Sequence, residues 1–218
     1  NFEWFSFLRV QYVDDEIARD MKESGCVGVY LGIESANDTI LKNMDKRVTR
    51  ADFLKGIKHL KNHGIVSMGA FVLGFPGETE ETLNDNLSFI EKSGVEFYTF
   101  KEFYYMENTP VYEKRDEFRL TGMGSKWKHE TMAYADIHPK IIQMFKKIEN
   151  SVFIDADTSL WYIAYLYDQG YSISEIIALQ KEINLVMRDQ TEGEYNDNHP
   201  AFNRIQNILG SVCNHTAP

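Results

Sequence analysis

Cysteine, positive charge and long apolar runs are all scarce in this sequence. Two cysteines, Cys26 and Cys213, occur in 218 residues. Thiols so few and so far apart form no disulfide framework, and they suit a reducing cytoplasm, with Cys26 expected as a small buried apolar residue. Lysine and arginine number 23 against 33 acidic residues, a net charge of −10. Such a surface repels phosphate backbones, so nucleic acid is not expected as a partner. No apolar run approaches the ~20 residues that span a bilayer, and no signal peptide is visible, so no membrane association is expected. The chain opens at Asn1 without a methionine, inside an aromatic run (Phe2, Trp4, Phe5, Phe7), as a piece of a larger protein would.

What is present is a chain able to bury a core. Hydrophobic residues make up 43% of it, which excludes disorder. Three stretches share one form: an amphipathic helical segment, a glycine, then a short β-prone run. They end at Gly25, Gly64 and Gly94, followed by CVGVYLGI, IVSMGAFVLG and VEFYTFKEF. A glycine after the last turn of a helix takes the left-handed cap without a Cβ penalty. Thr49 with Asp52, and Thr79 with Thr82, mark helix starts. Phe53, Leu54, Ile57 and Leu60 share one helical face. The apolar runs are nearly continuous, as strands read when both faces are covered in a parallel sheet.

This pattern predicts an α/β fold: a partial (β/α) barrel with about four parallel strands, near 3–9, 28–33, 66–73 and 95–100. A closed eight-stranded barrel needs twice as many. Residues 106–135 form a long irregular stretch, and loops of that length are mostly functional. The tail reads as helical, with Pro139 and Pro200 in first turns, Ser172 and Glu175 as a capping box, and Gly170 and Gly210 at helix ends. The predicted division is a barrel part at 1–135 and a small helical appendage at 136–218.

Two segments carry chemistry. Gly32-Ile33-Glu34-Ser35 puts a carboxylate where a strand ends, the edge at which barrel enzymes place function. Leu73-Gly74-Phe75-Pro76-Gly77-Glu78-Thr79 is a turn whose glycines leave backbone open. Together, about forty residues apart in a (β/α) context, they resemble the signature strands of radical S-adenosylmethionine enzymes. The resemblance implies an enzyme that cleaves S-adenosylmethionine reductively to a 5′-deoxyadenosyl radical, which then abstracts hydrogen from a small-molecule or peptide substrate. It places Glu34 on the cofactor's ribose with Ser35 beside it, Lys46 (or Arg47, one register on) on its methionine carboxylate, and Gly74, Phe75, Pro76 and Gly77 around its adenine. Ala70 stands where some members carry a second ribose-binding acid.

The segment Trp127-Lys128-His129-Glu130-Thr131-Met132 is similar to a Trp-x-His-x-Thr-Met segment of the cobalamin-dependent class. That likeness implies cobalamin, methyl transfer, and Trp127 and His129 on the substrate or cobalamin side. The family also uses a [4Fe–4S] cluster held by Cys-x3-Cys-x2-Cys. That motif is absent here, so no metal ligand is assigned to this chain, the cluster ligands are expected outside it, and it is not expected to be active alone. Catalytic residues proper and the substrate are not legible.

Other readings are weaker. His59 and His63 have zinc spacing on one helix but lack a third ligand, and a solvated face is expected. The aromatic run 97–106 reads as core. A non-radical barrel hydrolase or aldolase would want paired strand-end carboxylates or a strand-end lysine, and a binding module without chemistry is the third possibility. Finally, FEWFSFLRV is an apolar strand expected at a sheet edge, where it invites self-association.

Overall fold

A computed structural model describes residues 2–155, 159–194 and 196–213. Five parallel strands form one sheet in sequence order: β1 (Trp4–Leu8), β2 (Cys26–Glu34), β3 (Val66–Leu73), β4 (Phe97–Glu102) and β5 (Val152–Phe153). Parallel neighbours in sequence order require each connection to cross over one face. Helices α1 (Asp15–Glu23), α2 (Asp38–Asn43), α3 (Arg50–Asn62) and α4 (Glu80–Ser93) make the first three crossovers. The predicted starts hold: Thr49 and Asp52 close a reciprocal capping box, as do Thr79 with Thr82. Gly25, Gly64 and Gly94 all have positive φ.

Alternation along the strands assigns the faces. Val29, Leu31, Ile33, Phe71 and Leu73 point toward the helices and build the main core with Phe53, Ile57, Leu60 and Phe89. Leu54, expected on that face, is exposed at its margin. The other face carries Tyr30, Met68 and Phe97 low on the strands. There α7 (Ser159–Asp168) and α8 (Ile173–Glu192) cover it through Ile163, Leu166, Ile176 and Leu179.

The tail corrects several expectations. It contributes β5, so the sheet has five strands rather than four. Only Phe97↔Val152 and Tyr98↔Phe153 pair, and two residues carry no periodicity to read. Beyond β5 the sheet is closed by side chains of α8. Asn184 accepts from Phe153 N–H at 2.9 Å and donates to its carbonyl at 3.0 Å, and Gln180 donates to the same carbonyl at 3.0 Å. Pro139 lies inside α6 (Tyr134–Lys147), not in its first turn. Its missing N–H sits one turn in, where the partner carbonyl would be that of Ala135. Gly210 lies within α9 (Pro200–Cys213) rather than at its end, whereas Pro200 opens that helix as expected. Ser172 and Glu175 do cap α8.

The irregular stretch holds one short helix, α5 (Pro110–Glu113), and folds back across the ends of β3 and β4. No described helix is long and apolar enough to cross a membrane. On the opposite edge of the sheet, no strand among the described residues lies beyond β1.

Candidate functional site

Because all strands are parallel, Leu8, Glu34, Leu73 and Glu102 end on one edge of the sheet. Glu34 and the Gly74 turn are therefore at the same end, as the motifs require. Glu34 is also strained. Its φ is 65°, a left-handed conformation rare for a residue with a side chain, and Ser35 N–H closes the turn onto Ile33 O at 2.8 Å. A register shift marks the same point in the β2–β3 pairing. The turn folds the carboxylate back over Gly32, with Oε1 2.9 Å from where a Cβ on Gly32 would stand. Only glycine leaves that space.

Lys46 completes the pair. The end of α2 is a Schellman motif: Lys46 N–H reaches Leu41 O, Asp45 N–H reaches Lys42 O, and Asp45 takes φ 57°. The chain thereby turns Lys46 back over the strand. Its Nζ donates to Gly32 O at 2.7 Å and to Glu34 Oε1 at 3.2 Å. Both side chains are about 30% exposed and face a cleft of about 620 Å³ that Arg9, Gln11, Tyr12 and Arg47 also line. A carboxylate acceptor and an ammonium donor side by side suit a ligand with hydroxyls and a carboxylate.

The Gly74 turn is built differently from expectation. Its backbone is not open. Gly74 N–H donates to the Glu78 carboxylate, and its carbonyl is held by His129 Nε2 at 3.2 Å. Ring atoms of Trp127 lie 2.7 Å from the position of a Gly74 Cβ, and Pro76 O accepts from Asn43 Nδ2 at 3.0 Å. Phe75 packs edge-on to Phe103, its ring centre 5.1 Å away. Of these four motif residues only Gly77 is exposed, and none lines the Glu34 cleft. Phe75 and Pro76 are thus packed, and main-chain pairing with an adenine at Gly74 would require this arrangement to open.

Trp127 and His129, expected on the substrate or cobalamin side, pack against this turn. They are buried and stacked, ring centres 5.2 Å apart and 5° from parallel. Trp127 Nε1 donates to Phe103 O at 2.7 Å, and Thr131 Oγ1 donates to Glu78 O at 2.6 Å. Through Trp127, His129 and Thr131 the segment is a clamp on the Gly74–Glu78 turn. Ser35 is also enclosed, its hydroxyl 3.4 Å from Asn86 Oδ1.

Sequence reasoning missed Glu78 and Asn86. Asn86 donates to Glu78 at 3.3 Å, while its oxygen accepts from Ala36 N–H at 2.6 Å. This buried chain bolts the β3–α4 turn to the β2–α2 turn. The signal was available for Asn86, which stands with Leu83, Phe89 and Ile90 on the buried face of α4. Burial pushes the Glu78 carboxyl up from 4.5 to about 7, against the two N–H donors that favour its charged form. The folded state therefore holds the proton more tightly than the unfolded chain. Its contribution to stability is fullest below pH 4.5 and fades as pH rises to 7, by about 3 kcal/mol. Carboxyl-carbon NMR should show a midpoint near 7, with the Gly74 amide shift moving in step. A midpoint at or below 4.5 would contradict this environment.

Elsewhere, His63 and His59 approach Asp15 at 3.0 and 3.6 Å, a tie between α3 and α1. Cys26 is buried, its thiol pushed up to about 11 by desolvation, and the side chain of Cys213 lies outside the described residues. No group of three or more metal-ligating side chains occurs among the described residues. The residues present therefore do not fit an iron–sulfur cluster.

The family model of the radical SAM superfamily matches residues 6–90, from β1 through most of α4. Over that stretch the chain is similar to the radical SAM superfamily. Its glutamate–lysine cleft and its Gly74 turn both fall within that match. An uncharacterised methyltransferase of Pyrococcus horikoshii is 34% identical over 46% of this chain and 22% of its own length. A tRNA-2-methylthio-N(6)-dimethylallyladenosine synthase of Caldicellulosiruptor saccharolyticus is 27% identical over 73% of this chain and 32% of its own. A bacteriochlorophyllide d C-12(1)-methyltransferase of Chlorobaculum tepidum is 30% identical over 63% and 30%. The chain thus spans no more than about a third of these relatives. Among solved structures, the radical S-adenosylmethionine methyltransferase TsrM from Kitasatospora setae, with cobalamin and a [4Fe–4S] cluster bound, aligns over 52% of this chain and 23% of its own, at TM-score 0.47 and 21% identity.

Proposed function

We propose that this chain carries the S-adenosylmethionine-binding part of a radical SAM enzyme, and that the enzyme transfers a methyl group with the help of cobalamin. The observation that carries the first half is the strained Glu34, held with Lys46 over Gly32 at the C-terminal edge of the sheet. In this reading the Glu34 carboxylate accepts from the two ribose hydroxyls, and Lys46 leaves Glu34 to pair with the methionine carboxylate. The clamp of Trp127, His129 and Thr131 keeps the Gly74–Glu78 turn in shape beside them. A [4Fe–4S] cluster, when bound, supplies the electron for reductive cleavage. Its ligands belong to residues outside this chain. The methyltransferases among the relatives and the Trp127–Met132 segment support the second half, with a small-molecule or peptide substrate.

A hydrolase acting through paired carboxylates fits less well. Glu34 folds back over Gly32. Glu102 pairs in register with Leu73, on the helix-covered side, so the two do not face each other across a bond. The test is anaerobic turnover of the holoenzyme with a reductant. Formation of 5′-deoxyadenosine, and methylcobalamin-dependent methyl transfer to an acceptor, are the expected results. A holoenzyme that leaves S-adenosylmethionine intact would overturn the reading.

A further inference from the structure

We propose that a second cleft on the same edge, between the end of β4 and α6, is an amine site: it takes a protonated nitrogen on an apolar stem. The cleft exists because β5 stops early. The last β4–β5 pair is Tyr98↔Phe153, whereas β4 runs on to Glu102. Four residues of β4 therefore overhang, ~13 Å of strand with no neighbour. Helix α6 closes one side, and the gap encloses about 450 Å³.

Glu102 sits at the end of this gap. Its Oε2 accepts the hydroxyl of Tyr134, which fixes the carboxylate. Its Oε1 receives no hydrogen bond from any described residue, and His138 Nδ1 approaches only to 3.6 Å. The Glu102 side chain is 26% exposed, so this oxygen is partly withdrawn from water and still lacks a full donor. Such an acceptor gains most from a charged N–H partner. The walls are apolar: Phe100, Phe153 and Ile141 lie along the gap, and the exposed Tyr104 ring stands among the lining residues. Aromatic faces near a carboxylate favour a cation over a neutral polar group.

The amine site stands on this geometry. Its use as a substrate anchor rests on the proposed reaction, because the cleft opens on the edge where Glu34 lies, two strands away or ~10 Å across the sheet.

Phenethylamine is the probe, with 3-phenylpropionate as its charge-reversed counterpart, each titrated into the protein without S-adenosylmethionine. The expected result is saturable NMR shifts at Tyr134 and His138 with phenethylamine and none with the carboxylate. Glu102→Gln should weaken amine binding by roughly tenfold or more. Absence of saturable shifts, shifts confined to other residues, or equal binding of the two probes would overturn the proposal on the unmutated protein, whatever the variant's folding. S-adenosylmethionine is titrated in a separate arm with the holoenzyme. Amine binding without it would retain this site and remove the proposed function. The converse would remove this site alone.

Discussion

Trp127→Ala is expected to lower the unfolding free energy by ~3–5 kcal/mol, the range for emptying a large aromatic from a core. The indole is enclosed on all sides, at 1% exposure. It lies on Gly74, stacks on His129 and meets Phe103 and Tyr134 with ring centres 5.6 and 6.0 Å away. Its N–H satisfies the carbonyl of Phe103. Alanine would leave a cavity and an orphaned buried carbonyl, two separate costs. Trp127→Phe should restore most of the packing and leave the carbonyl unpaired, for a loss of ~1–2 kcal/mol. Urea denaturation midpoints at constant m-value would separate the two variants. A loss below ~1 kcal/mol for alanine would mean that the clamp is not part of the folded core.

Glu34→Gly should have the opposite signature: little change in stability and a large loss of binding. The glycine relieves a left-handed conformation that costs a residue with a side chain ~1–2 kcal/mol. It gives up a partly exposed ion pair with Lys46 worth at most ~1 kcal/mol. The balance should stay within ~1 kcal/mol of the parent. Binding of S-adenosylmethionine to the holoenzyme should fall by ~100-fold, because two hydrogen bonds to a charged acceptor are lost. Calorimetric titration beside a thermal melt would decide. A variant that is strongly destabilised yet binds normally would make Glu34 a structural carboxylate, as a helix-start acid would be.

Strands, caps and the strand-end carboxylate were legible because each has a local signature. Four apolar runs announced four strands. Thr49 with Asp52 and Ser172 with Glu175 announced helix starts, and Gly32-Ile33-Glu34-Ser35 announced the end of β2. Strand β5 was not legible, since its two residues are held by Asn184 and Gln180 from a distant helix. Pro139 was expected in the first turn of α6, but the helix starts five residues before it, at Tyr134. The larger misreading concerned polar groups. A glycine-rich turn looks open in sequence, but whether its N–H and C=O are free depends on what folds back over it. Here that is Glu78, four residues on, and His129, fifty-five residues on. The sequence singled out Trp127 and His129, and the structure packs both against the Gly74 turn. Tyr134, His138 and Glu102 drew no notice, because nothing local ties a strand end to the second turn of a helix thirty residues later.

The side chains that finish β5 have a consequence for assembly. A sheet can recruit further backbone only where a strand lies bare. With Asn184 and Gln180 occupying the far side of β5, that strand accepts no further neighbour while α8 stays docked. An open-ended ribbon needs a donor side and an acceptor side on every copy, and growth through β5 is closed to this sheet.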